Sequence, residues 1–148
     1  MIKVYLDNCS LNRPYDDQNQ IRIKLEAIAK LFVQDLIVNN KLNLIWSYIL
    51  DFENSRNPYI AKQNTITDFL KYSHSKILAN EKIISMAKKI QKEKIRELDA
   101  LHIACAIYAK SDFFITVDDE ILKYKNSKIK IVDPIEFIKI YKKGGGLK

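Results

Sequence analysis

Cysteine and histidine are scarce in this chain, two of each, and Cys9, Cys105, His74 and His102 do not form a set of four ligands at zinc spacing. That excludes a disulfide framework and a zinc site, and it leaves two buried free thiols as the expectation. No apolar run reaches the roughly 18 residues that a membrane span needs. The opening Met-Ile-Lys-Val-Tyr-Leu-Asp lacks the apolar region and small-residue cleavage site of a signal peptide, so a cytoplasmic location without membrane contact is expected. Acids are outnumbered, 18 against 25 Lys and Arg, for a net charge of +7. Such an excess favours a polyanionic partner, although lysine-rich helices with glutamate neighbours are also ordinary solvated faces. The three glycines all fall at Gly144 to Gly146. Residues 143–148 are therefore expected to be a flexible tail, and no linker divides the rest.

The 148 residues are 47% hydrophobic and 29% charged, enough for one core that removes roughly 70% of the unfolded surface from water. A single domain over residues 1–142 is expected. Ile2 to Leu6 reads as a buried strand, followed by turn chemistry through Asp7-Asn8-Cys9-Ser10 and Arg13-Pro14. Gln20 to Val38 has Ile21, Leu25, Ile28, Ala29, Phe32 and Leu36 at helical spacing. Leu42 to Trp46 is a second strand, and Ser47 is placed to cap a helix that carries Glu53. Tyr59 to Tyr72 reads as a helix and Ser73 to Lys76 as a polar connector, with a short extended piece at Ile77-Leu78. Asn80 caps the helix Glu81 to Lys92, and another runs from Leu98 to Tyr108. Phe113 to Thr116 and Ile129 to Val132 are short strands, separated by a brief helix from about Glu120 to Tyr124. Asp133-Pro134 opens a terminal helix. Short apolar strands alternating with helices imply an α/β fold: a three-layer α/β/α sandwich around a mostly parallel sheet of four or five strands.

Asp7 ends the first strand, Glu53 follows the second, and Asp118 follows the strand at Phe113. Asp99 opens a helix that is otherwise apolar, where a carboxylate is costly unless it is paired, hydrogen-bonded or bound to a cation. The helix Leu98 to Tyr108 spans roughly 16 Å, enough to return Asp99 to the rim where the other acids lie. Four carboxylates held together repel, and a divalent cation with hard oxygen ligands, Mg²⁺ or Mn²⁺, is the economical remedy. Each acid also has a purely structural reading. Asp7 could cap a turn, Glu53 pair with Arg56, Asp99 favour its helix dipole, and Asp118 cap the helix behind it.

Four runs carry more than composition does: Val4-Tyr5-Leu6-Asp7-Asn8-Cys9; the spacing from Ser47 to Glu53; Leu98-Asp99-Ala100-Leu101-His102-Ile103-Ala104; and Phe114-Ile115-Thr116-Val117-Asp118. In this order they resemble the motifs of the PIN-domain family over most of the chain, most specifically through the third and fourth. The resemblance implies a compact α/β/α fold whose acids bind Mg²⁺ or Mn²⁺ and cleave RNA, single-stranded or structured. It assigns Asp7, Glu53, Asp99 and Asp118 as catalytic acids, with Asp7, Asp99 and Asp118 on the metal. Asn8 and Thr116 match accessory positions, and Asp119 competes with Asp118 for the fourth place. Bacterial members of this length often resemble toxins of toxin–antitoxin pairs, which implies a cognate antitoxin protein and a homodimer. The segment Leu11 to Asp17 departs from such toxins.

Arg13, Lys94 and Arg96 stand near the acidic rim and could grip phosphates. Tyr15, Trp46 and Tyr48 could stack on bases, though burial is the ordinary fate of such rings. His102, one turn after Asp99, could bond it or serve the core, and nothing is assigned to His74. Two rival functions remain. One is a PIN-like module that binds nucleic acid or protein without cutting. The other is a haloacid-dehalogenase-like phosphatase, for which Asp7-Asn8-Cys9 lacks the second acid that family places after its first.

Overall fold

The computed structural model describes residues 1–7 and 20–144. The expectations for Asn8, Cys9, Arg13 and Tyr15, and for the tail beyond Gly144, lie outside the described residues. The strands are β1 (Lys3–Leu6), β2 (Asn43–Ser47), β3 (Ser73–Ile77), β4 (Phe113–Ile115) and β5 (Lys130–Val132). The helices among the described residues are α1 (Ile21–Val38), α2 (Tyr48–Ser55), α3 (Ile60–Leu70), α4 (Glu81–Gln91), α5 (Glu97–Tyr108), α6 (Asp119–Lys123) and α7 (Pro134–Lys143).

The five strands form one sheet in the order β3-β2-β1-β4-β5, and every pairing is parallel. β1 lies in the centre, with Tyr5 opposite Ile45 of β2 on one side and Phe114 of β4 on the other. Its interior residues Val4, Tyr5 and Leu6 are fully buried, as a strand covered on both faces must be. The chain leaves β1 toward β2 and β3, crosses back through α4 and α5, and then builds outward through β4 and β5. Right-handed crossovers therefore place α1 and α3 on one face and α4 and α5 on the other. The order reverses between β1 and β4, so the crevice at their carboxyl ends is the topological switch point, where open parallel sheets bind ligands.

Three caps read from the sequence are formed. Ser47 accepts from the Leu50 amide, Asn80 from Ile83 and Asp133 from Glu136, each satisfying a donor that the first helical turn leaves free. Glycine is absent where helices end in a left-handed residue, and Asn40, Lys94 and Lys110 take those positions at φ 58°, 68° and 58°.

Two expectations are corrected. Residues 73–76 are not a connector but most of β3, an edge strand whose central His74, Ser75 and Lys76 are exposed. An edge strand with solvent around it needs no apolar alternation, and charge there discourages pairing with another chain. The inward face of α1 is also rotated from the expected one. Ile21, Leu25, Ile28 and Phe32 are exposed, and Glu26, Ala27, Lys30, Val33, Leu36 and Ile37 are buried. α1 is apolar around most of its circumference, so hydrophobic spacing alone does not fix its phase. Two charged residues turn inward because of what they meet beneath the helix.

Candidate active site

Asp7 leaves the carboxyl end of β1 and is 2% exposed. Its Oδ2 accepts the Thr116 hydroxyl at 2.7 Å, and Thr116 Oγ1 in turn accepts the Asp118 amide at 3.1 Å. The backbone adds a bond from the Asp7 amide to the Ile115 carbonyl at 3.4 Å. Thr116 is thus a bracket that sets the first and fourth acids relative to each other across the switch point.

Asp118 divides its two oxygens. Oδ1 caps α6, accepting from Glu120 at 2.8 Å and Ile121 at 3.3 Å, while Oδ2 accepts Arg96 Nη2 at 2.9 Å. Both readings of this residue hold, since it is a helix cap with one oxygen left for the site. Arg96 also reaches Asp99 Oδ2, from Nε at 3.0 Å and from Nη2 at 2.9 Å. One guanidinium therefore lies between two carboxylates that are 17% and 15% exposed, while Arg96 itself is 72% exposed. Burial raises the Asp99 pKa above the ordinary carboxylate value, Arg96 opposes that shift, and Asp118 adds to it by repulsion.

Glu53, on α2, meets His102 rather than Arg56: its Oε1 is in hydrogen-bond contact with His102 Nε2. Arg56 instead lies over the Phe52 ring, 4.7 Å from its centroid. His102 is 2% exposed, and its Nδ1 lies 2.6 Å from the Tyr5 hydroxyl, which lies 2.6 Å from Ser47 Oγ. Burial holds the Tyr5 pKa well above its ordinary value, so the phenol keeps its proton. One donor order satisfies the whole chain: Ser47 donates to Tyr5, Tyr5 to Nδ1, and the Nε2 proton to Glu53. The core thus fixes the Glu53 carboxylate through a relay, and His102 does not bond Asp99.

A fully buried amine lies beneath. Lys30 is 0% exposed, its Nζ has no hydrogen-bond partner among the described residues, and it stands 5.3 Å from the Phe69 ring centroid. Burial lowers its pKa to about 7, and the charge of Asp7 counteracts part of that shift. One turn earlier Glu26 is 2% exposed and pairs with Arg22 at 3.5 Å, and Arg22 also reaches Asp119 at 2.7 Å. Spacing had no means of finding Lys30, because an isolated lysine on an apolar helix reads as the solvent side.

Comparison with protein families matches the PIN domain over residues 4–126, a span that contains Asp7, Glu53, Asp99 and Asp118. The chain belongs to the PIN-domain family. Among curated proteins no sequence matches it. PIN domains are in general nucleases, and the all-parallel sheet flanked by helices is the architecture expected of one. A phosphatase of the haloacid-dehalogenase kind has no further support.

Within this PIN domain, Asp99 and Asp118 meet through Arg96, and Asp7 and Asp118 through Thr116. Asp119 turns to Arg22 and is 62% exposed, so Asp118 is the acid that faces Asp99. Lys94 occupies the left-handed turn before α5, exposed and two residues from Arg96. Trp46 is 1% exposed, its indole donates to Asp51 at 2.9 Å, and it offers no face to a base. Cys105 is a buried free thiol whose pKa burial raises to about 12, which leaves it inert. Among the described residues, no three acidic, His or Cys side chains stand close enough to hold one ion. Asp99 and Asp118 are held together by Arg96, which bonds both.

Proposed function

We propose that this PIN domain is a Mg²⁺- or Mn²⁺-dependent endoribonuclease. The observation that carries the reading is the guanidinium of Arg96 lodged between Asp99 and Asp118: the two carboxylates are spaced to share one cation at the switch point of the sheet. The donor set fits a divalent ion, since Asp7, Asp99 and Asp118 offer hard oxygens, and Asp118 keeps Oδ2 for the site while Oδ1 serves α6. Asp99 and Asp118 would hold the ion, with Asp7 beside them. When bound, the ion supplies charge neutralisation at the phosphate and makes water a nucleophile at neutral pH.

The chain's own groups do the remaining work. Thr116 keeps Asp7 and Asp118 in register, and the Ser47–Tyr5–His102 relay holds Glu53 as an acceptor able to orient water. Arg96, once replaced by the ion, is a planar donor for phosphate oxygens beside the scissile bond. Single-stranded or looped RNA fits an open rim of this kind, where the backbone is accessible. To test the mechanism, Asp7→Asn and Asp99→Asn are assayed for RNA cleavage with and without Mg²⁺, and for Mn²⁺ binding by electron paramagnetic resonance. Undiminished cleavage in a clean preparation refutes the mechanism.

The resemblance to toxins extends the reading to growth arrest on expression, relieved by a cognate antitoxin protein in the cytoplasm. Among the described residues no helix is long and apolar enough to cross a membrane. An apolar depression of about 330 Å³ between α1 and α7, lined by Leu25, Ile28, Phe32, Ile135 and Ile138, supports a protein contact there, and a homodimer is the contact the family resemblance implies.

A second reading has its own observation. Arg96 already occupies the space between Asp99 and Asp118 and offsets one of their two charges, which suits a module that binds RNA without cutting. Salt-dependent RNA binding insensitive to EDTA, with no cleavage of any RNA pool, would select it.

A further inference from the structure

At the amino ends of β4 and β5, across the sheet from the carboxylates, the surface opens into a cleft of about 1000 Å³. Lys110, Lys125, Lys128 and Lys130 line it. An adjoining hollow of about 350 Å³ shares Lys125 and Lys128 and adds Lys89. All five are exposed. Two acids line the same space, and both are engaged: Asp112 accepts the Lys3 amide at 2.8 Å, and Glu93 accepts the Tyr124 hydroxyl at 2.7 Å. Of the five ammonium groups only Lys125 has a hydrogen-bond acceptor among the described residues, the neutral Leu122 carbonyl at 3.3 Å. The two carboxylates offset only part of the charge, and five lysines against two acids leave the cleft net positive.

The backbone is shaped to present these lysines. Lys110 holds the left-handed position after α5 at φ 58°, where glycine or asparagine is the cheaper residue. Asn126 Oδ1 accepts the Lys128 amide at 2.8 Å and closes the turn that follows Lys125. On the floor, the Ser111 hydroxyl is buried without a hydrogen-bond partner among the described residues, a group that a water bridging to a bound anion would satisfy.

We infer that this cleft is a second binding surface for the phosphodiester backbone of the same nucleic-acid strand that the acidic rim cuts, an inference that rests on the nuclease reading. Ammonium groups grip phosphates without reading bases. Tyr124, the aromatic side chain that lines the cleft, is buried, so base stacking contributes nothing and the surface is indifferent to sequence. From Asp112 to Asp118 the chain runs through β4 for about 20 Å at roughly 3.3 Å per residue. That distance is the rise of about six stacked nucleotides at 3.4 Å each. A strand of about four nucleotides can occupy the acidic rim alone, and one of about twelve can reach both.

The test uses the full chain and single-stranded oligoribonucleotides. Lys125→Gln, Lys128→Gln and Lys130→Gln are combined in one variant. Lys24→Gln, Lys41→Gln and Lys82→Gln, exposed lysines outside the cleft, form a control of equal charge. Binding of a twelve-nucleotide strand is followed by fluorescence anisotropy in EDTA, where nothing is cut. The cleft variant is expected to bind at least tenfold more weakly, with its log–log salt slope reduced by about 2, at about 0.7 per lost phosphate contact; the control should stay within about twofold. With Mg²⁺ present, the cleft variant should raise KM for the twelve-nucleotide strand and leave cleavage of a four-nucleotide strand unchanged. Equal losses in both variants, or wild-type affinity in the cleft variant, overturn the inference. If only the nuclease reading fails, the wild type cuts nothing while the binding difference persists. If only the cleft fails, cleavage persists and KM does not move.

Discussion

The two ends of the sheet are built on opposite principles. At the carboxyl ends of β1, β2 and β4 the acids are few, largely buried and bonded: Asp7 to Thr116, Asp118 to α6 and Arg96, Glu53 to His102. At the amino ends of β4 and β5 the lysines are numerous, exposed and, among the described residues, almost without polar contacts. Preorganised acids suit chemistry, because their geometry is set before a ligand arrives, whereas free lysines suit capture, because long side chains adapt to whichever phosphate arrives. The difference teaches that net charge is a poor summary of this molecule. The excess of +7 says little about an acidic rim a few residues away from it.

The comparison can be broken most severely at the bonded end. Asp7→Asn is expected to lower RNA cleavage at least about 100-fold, since even groups that only orient metal ligands commonly account for 10- to 100-fold. Its affinity for the twelve-nucleotide strand in EDTA should be nearly unchanged, because binding is carried by the other end. A variant that loses both in proportion would show that the two ends are not separate.

The buried amine gives the next largest effect. The folded pKa of Lys30 is lowered from 10.5 to about 7, so between those values the unfolded chain binds a proton that the folded chain does not. Stability therefore rises with pH across that window, by about 1.4 kcal/mol per unit, and below about 7 the full penalty of the buried charge is present. Denaturation of Lys30→Met at several pH values should show that slope removed and greater stability near pH 6. An unchanged slope would place the lysine near water.

Arg96→Gln sharpens the contrast from the other side. Without the bridging guanidinium, Asp99 and Asp118 repel, so Tm in EDTA is expected to fall by a few degrees, in keeping with a loss of about 1 kcal/mol for an exposed ion pair on two half-buried acids. Mn²⁺ titration followed by electron paramagnetic resonance should then show several-fold tighter binding, because no resident cation has to leave. Weaker Mn²⁺ binding would mean that Arg96 supports the site instead of holding its place.

The smallest effect belongs to the backbone. Lys110→Gly, at φ 58°, should raise stability by about 0.5–1 kcal/mol, as relief of a left-handed non-glycine residue does. It should also weaken RNA capture slightly by removing one ammonium. Urea denaturation and anisotropy measure the two separately.

Much of this was legible in the residues. Short apolar runs marked β1, β4 and β5, and Ser47, Asn80 and Asp133 announced the helices they cap, because those signals are local. β3 was not legible, since an exposed edge strand carries no apolar period to read. The phase of α1 was lost because Lys30 turns inward toward the charge of Asp7, a group distant in sequence, and Glu26 lies on the same buried side. The four acids could be placed near one rim, but not their connections. Glu53 pairing with Arg56 and His102 bonding Asp99 both followed from sequence proximity. The folded chain instead joins Glu53 to His102 across 49 positions and sets Arg96 between two acids.

The bracket between Asp7 and Thr116 joins residues 109 positions apart, and the central strand has a neighbour at the same remove, Val4 beside Phe113. A ribosome adding about 5 to 20 residues per second takes roughly 5 to 20 s to cover that interval. Throughout it β1 can pair with β2 alone, leaving one side of an apolar strand unpaired and its aspartate without a bracket. An incomplete chain therefore carries the first acid of the site but has no means of holding it against the fourth. Assembly of the acidic rim is deferred until almost the whole sheet has been made, so interrupted synthesis yields a fragment with an exposed strand edge and an incomplete rim.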